Sequence, residues 1–145
     1  MIDTRTAPYA ALVLRLTLGV MFVAHGLLKV LVFTPAGTAG FFASLGLPGW
    51  LAYPTMGAEI IGGLLLIAGV QTRLVALALI PILLGSLWAH SGNGWLFSNQ
   101  HGGWEYSAFL TMSAVVQVLL GDGAWSLKSL LARRQPELVG NSAIA

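Results

Sequence analysis

Six ionisable side chains stand within or at the edges of otherwise apolar runs: Arg15, His25, Lys29, Glu59, His90 and Glu105. Glu59 is the hub, a lone carboxylate among glycines in the stretch Met56 to Gly69, MGAEIIGGLLLIAG. An acid in hydrocarbon must pair with a cation or keep its proton, because no water is there to solvate its charge. Lys29 or His25 can meet Glu59, and His90 or His101 can meet Glu105. Two readings of such pairs stand side by side. In one they only fix the register of neighbouring helices. In the other Glu59, His25, Lys29 and Glu105 are catalytic groups that move protons to or from a ligand in the outer leaflet, with His90, Trp104, Tyr106 and His101 as ligand contacts. A quinone fits the second reading: its ring needs hydrogen-bond donors and protons, its tail needs lipid, and Trp88, Trp95 and Trp104 offer aromatic faces. The sequence itself shows no electron source, so the cofactor is left open. His25, His90, His101, Glu59 and Glu105 are metal-ligand types without a local spacing signature, and no metal site is expected.

Four apolar stretches must carry these groups, at about 10–32, 51–70, 74–90 and 104–120. At 100° per residue, Arg15, His25 and Lys29 fall within an arc of about 80° on the first helix, with Gly19 and Gly26 forming a flat strip on a neighbouring face. Phe33 to Gly49 reads as an uncharged loop. In the second helix Gly57, Ala58, Gly62 and Gly63 allow another backbone close to Glu59. Gln71, Thr72 and Arg73 make a tight hairpin into the third helix, which Pro81 is expected to bend. Ser91 to Gly103 is a polar, aromatic loop carrying His101. Gly121 and Gly123 end the fourth helix, and Trp125 to Arg134 reads as a short interfacial helix with Ser126 as its N-cap. The expectation is one all-α domain over 1–145: a polytopic membrane protein, a four-transmembrane-helix bundle with that interfacial C-terminal helix.

Composition agrees. Of 145 residues, 57% are hydrophobic and 8% charged, with a mean hydropathy of +0.82, against about 25% charged in soluble domains. The apolar length leaves no room for a separate soluble domain. With no cysteine, disulfides, thiolate zinc sites and dithiol redox relays are excluded. Arg5 before an apolar run has the look of a secretion signal, yet Arg15 and Lys29 interrupt the run and no small-x-small site follows, so the segment is expected to stay as the first span.

Arg5, Arg73, Lys128, Arg133 and Arg134 cluster at the N-terminus, the second loop and the C-terminus, which places both termini in the cytoplasm. The same cluster favours anionic headgroups as partners over nucleic acid. Glu59 then lies about 12 Å inside the outer end of its helix, and His25, Lys29, His90 and Glu105 share that outer half. Arg15, about 21 Å from Lys29 along the helix, is expected to snorkel to the cytoplasmic headgroups.

Arg15, Gly19 and His25-Gly26-x-x-Lys29, then Ala58-Glu59-Ile60-Ile61-Gly62-Gly63 with Gly69 and Thr72-Arg73, then Gly103-Trp104-Glu105-Tyr106, and finally Gly121-Asp122-Gly123 with Ser126-Leu127 resemble the DoxX family of small bacterial membrane proteins. The likeness runs from about Leu12 to Lys128. Members of that family are described as the quinone-linked small subunit of a thiosulfate-oxidising membrane complex, as partners in oxidative-stress complexes, or simply as oxidoreductases. The resemblance therefore implies a bacterial inner-membrane subunit of an oxidoreductase complex, working with a protein partner and not as a self-sufficient enzyme, with a homo-oligomer also compatible. One departure is Lys128, where family members often place an acid after the final Ser-Leu. A membrane anchor or assembly partner without catalysis, and a transporter of a small solute, are the alternatives.

Overall fold

The computed structural model describes residues 3–131. The chain is all-helical over that range: α1 (Ala7–Leu31), α2 (Pro35–Ser44), α3 (Ala52–Ala68), α4 (Thr72–His90) and α5 (Glu105–Leu120), with single 3-10 turns at Gly49–Leu51 and Ser91–Asn93. Pro8 lies in the first turn of α1, where a missing N–H costs nothing, and Lys29 in its last turn complements the helix dipole.

The segment Phe33 to Gly49, expected to be a loop, contains α2. Its start is built by Thr34, whose Oγ1 accepts from the Gly37 N–H at 3.2 Å, and by Pro35 at the first helical positions. Gly46 at φ 80° ends it, with Leu47 N donating to Phe42 O and Gly46 N to Ala43 O, both at 3.0 Å. The expectation missed this helix because its glycines and lack of charge gave no amphipathic pattern; Thr38 supplies what periodicity did not, donating to the carbonyl of Lys29 at 3.2 Å and so tying α2 to the end of α1.

α1 packs most extensively on α3 and α4 on α5, while α3 on α4 joins the two pairs. The α1–α3 contact depends on absent side chains. A Cβ on Gly19 would come within 2.8 Å of the Gly63 carbonyl, and one on Gly63 within 2.8 Å of the Val23 amide. Gly69, at φ 69°, closes α3 in the left-handed region, which lets α4 turn back after Gln71. Pro81 is accommodated inside a continuous α4. The core is Leu18, Phe22, Leu66, Ala76, Leu79, Leu83 and Ala114.

The outer surface is oily and the interior partly polar. Val13, Ile61, Leu64, Leu74, Phe109 and Leu119 are exposed, whereas Arg15, Glu59, Thr72, Thr111 and Gln117 are buried. This inverts the soluble pattern and suits lipid as the solvent. Three helical segments are long and apolar enough to cross a bilayer, Ala7–Leu31, Gly49–Ala68 and Thr72–Asn93, and Glu105–Leu120 is a shorter apolar helix. The chain is a multi-pass membrane protein.

At the C-terminal side the expected helix at 125–134 starts later. Trp125 stands before it at φ 52°, Ser126 caps it by accepting from Ser129 N at 3.2 Å, and helix is described for 127–131. The remainder of that expectation, Ala132 to Arg134, lies outside the described residues.

Candidate functional site

At the end of the bundle where α1 finishes, Lys29 Nζ donates to both oxygens of Glu59, at 2.8 and 2.9 Å. Of the partners open to Glu59 in the sequence, this is the one the structure forms. The Glu59 side chain is 6% exposed and that of Lys29 20%, so the carboxylate is desolvated while the ammonium retains an opening. Gly26 makes the approach feasible: a Cβ there would lie 3.2 Å from Glu59 Cβ and closer still to the Ile60 side chain.

One turn before Lys29, on the same face, the Nδ1 of His25 lies 2.7 Å from the carbonyl of Met21. A carbonyl only accepts, so Nδ1 is the donor in this contact. The ring stacks on Tyr106 of α5, centroids 5.9 Å apart and planes at 26°. Among the described residues the partner of the Tyr106 hydroxyl is the thioether of Met21, at 3.5 Å, a weak acceptor. On its other side Tyr106 meets Phe97, at 5.8 Å.

Glu105 does not pair with His90 or His101. Its Oε1 accepts from the Phe97 amide at 2.8 Å, and its own N–H donates to the Trp95 carbonyl at 3.1 Å. The loop after α4 folds back along the start of α5, and a backbone N–H sits nearer to the carboxylate than either imidazole. Glycine at 103 is needed for that fold-back, since a Cβ there would collide with the carbonyls of Trp95 and Leu96. Trp104 packs edge-on against Trp95, centroids 4.5 Å apart. His90 turns its Nδ1 to the Ser86 carbonyl at 2.8 Å, and Ser86 reaches α5 through Ser107 at 2.9 Å. His101 is exposed, at φ 69°, and joins no cluster. The structure thus gathers Lys29, Glu59, His25 and Tyr106, with Glu105 and Trp104 as the clasp of the adjoining loop. Met21 and Phe97 belong to that site and were missed, because an apolar residue gives no sequence signal for such a role. Among the described residues no three of His, Asp and Glu gather to hold a metal ion.

The opposite end corrects the expectation for Arg15, which does not snorkel. It is 1% exposed and donates through Nη1 to the Asp122 carbonyl at 2.7 Å, with Nη2 3.5 Å from the carbonyls of Ala124 and Trp125. The Asp122 carboxylate accepts from the Thr72 N–H at 3.1 Å, and Gln117 donates to the Gly121 carbonyl at 2.7 Å. An interior loop of carbonyls outcompetes headgroups because it is within reach and preformed. The signal available in sequence was Asp122 between two glycines, on the same side of the membrane as Arg15.

These features define a class: a small multi-pass helical membrane protein with a buried acid–ammonium pair between α1 and α3 and a guanidinium locked into the loop after α5. The sequence model of the DoxX family matches residues 10–92, and the chain belongs to that family. It is also similar to a Bacillus subtilis (strain 168) protein named "Putative oxidoreductase CatD", 40% identical over 76 residues, which are 52% of this chain and 55% of that protein. The match thus spans about half the length of each. No solved structure matches the chain.

Proposed function

We propose that the protein is an inner-membrane subunit of a quinone-linked redox complex, with Glu59, Lys29, His25 and Tyr106 lining the ring site on the periplasmic side. The observation that carries this reading is the desolvated Lys29–Glu59 pair one turn from the His25–Tyr106 stack. Lys29 has three N–H donors, two of which go to the Glu59 oxygens, and the Tyr106 hydroxyl rests on a thioether, a weak acceptor. Both can turn to a quinone carbonyl, and the acid beside them can relay a proton. Electrons come from a partner protein. The relative's name, which calls it an oxidoreductase, points the same way.

The reading includes four crossings with the N-terminus in the cytoplasm. α5 runs antiparallel to α1: Tyr106 meets His25 near one end, and beyond the other the Ala124 N–H donates to the Pro8 carbonyl at 2.9 Å. Its 16 residues cover about 24 Å, enough where the bilayer thins locally. The basic residues Arg5, Arg73 and Lys128 all belong to the Arg15 end, which the positive-inside bias puts in the cytoplasm.

The test is decylubiquinone binding to the purified protein in nanodiscs, wild type against Glu59→Gln, with thermal unfolding of the same samples. The expected result is binding by the wild type and a folded variant that does not bind. Equal binding by both overturns the site. No binding by either, with the variant unfolding, assigns the pair to structure and makes the protein an anchor or assembly partner.

A further inference from the structure

At the Arg15 end a cleft of about 290 Å³ opens between the α3–α4 turn and the segment after α5, lined by Gln71, Arg73, Leu120, Gly121, Asp122 and Lys128. We propose that this cleft holds the headgroup phosphate of an anionic glycerophospholipid, a site separate from the redox reading and independent of it.

Charge comes first. Among the described residues the single ion pair is Lys29–Glu59, so Arg73 and Lys128 face the cleft with no carboxylate among those residues paired to them. The one acid in the lining, Asp122, is already engaged: its Oδ1 takes the Thr72 N–H at 3.1 Å, and the buried Arg15 guanidinium sits on its own carbonyl. Two cations against one compensated acid leave a field that favours an anion.

Shape agrees with charge. Gly121, at φ 83°, carries no Cβ, and one placed there would come 2.8 Å from Arg73 Nε and 3.3 Å from Nη2. The absent side chain lets the Nε–Nη2 edge of the guanidinium lie against the backbone at the cleft wall, and arginine is the side chain whose planar donors best match an oxyanion.

The surroundings select a lipid over a soluble anion. The cleft runs from polar Gln71 to Leu120, which is 43% exposed, and the short helix that carries Lys128 also presents Leu127, Leu130 and Leu131 as exposed apolar side chains. Trp125 packs edge-on against Tyr9, centroids 6.1 Å apart, an aromatic pair of the kind that sits at headgroup level. A phosphate held by the cations of the cleft thus lies at the level of an exposed Leu120 and a headgroup-level aromatic pair, where acyl chains begin.

The experiment titrates the full chain in a neutral detergent with dioleoylphosphatidylglycerol, dioleoylphosphatidylcholine or inorganic phosphate, counting bound molecules by native mass spectrometry and following Tm. Wild type should bind the phosphatidylglycerol in preference to the phosphatidylcholine, and Arg73→Gln and Lys128→Gln should each cut that preference about fivefold. Both variants should keep the wild-type Tm when only phosphatidylcholine is present. Arg5→Gln, which removes a cation outside the cleft, should leave the preference intact. Equal binding of the two lipids by wild type, or an equal loss from Arg5→Gln, overturns the site. Protection by inorganic phosphate matching that of the lipid overturns the assignment to lipid.

Discussion

A carboxylate that is 6% exposed beside an ammonium at 20% draws its compensation from that partner more than from water. Breaking such a pair from one side leaves an uncompensated charge, while replacing both partners by apolar groups of similar volume is often neutral. Lys29→Met is therefore expected to destabilise the protein by about 3 kcal/mol, the low end of the range because the lysine keeps an opening to solvent. Lys29→Met combined with Glu59→Leu should recover most of that loss. Unfolding of the single and double variants in the same detergent checks it, and a single variant as stable as wild type would mean that the pair does not hold the fold together. If the double variant is stable yet binds no quinone, stability and function separate at this pair.

The helices meet through what they lack. α1 and α3 approach so closely at Gly19 and Gly63 that a methyl group has no space: at Gly19 a Cβ would lie 2.7 Å from Ile67 Cγ1 and 2.8 Å from a backbone carbonyl, which cannot rotate away. Gly19→Ala should force the helices apart and lower stability by about 1–3 kcal/mol. Gly85 on α4 has nothing within 4 Å, so Gly85→Ala should be neutral or stabilising, by at most about 1 kcal/mol of helix propensity. Thermal unfolding of the two variants side by side measures the contrast. An equal effect from both would mean that backbone freedom, not the α1–α3 contact, sets the outcome. Because Lys29 and Glu59 lie on this same pair of helices, parting them should also loosen the ion pair.

Across the whole molecule, polar groups collect at both ends of the bundle, with the apolar core cluster between them. One end holds the Lys29–Glu59 pair and the clasped loop of Phe97 and Glu105; the other holds Arg15, Asp122 and the cationic cleft. The chain has no cysteine, which makes the topology directly measurable. In intact cells a membrane-impermeant maleimide should label Ser98→Cys, and should label Gln71→Cys and Ser129→Cys only after lysis. Identical labelling of Ser98→Cys and Ser129→Cys would mean that α5 does not cross, and the reversed pattern would invert the orientation.

The sequence by itself determined the helical membrane class, the α3–α4 hairpin, the termination of α5 at Gly121 and the need of Glu59 for a partner, since each follows from local composition or from the cost of charge in hydrocarbon. It also held the choice for Glu59 to two residues on one helix face. Only the tertiary structure decided that Lys29 fills that role, that Glu105 clasps a backbone amide instead of a histidine, that a helix follows Thr34, and that Arg15 is buried among the carbonyls of a loop more than a hundred residues away. Those outcomes depend on which groups come within hydrogen-bond reach across the bundle, a distance that spacing along one helix does not fix.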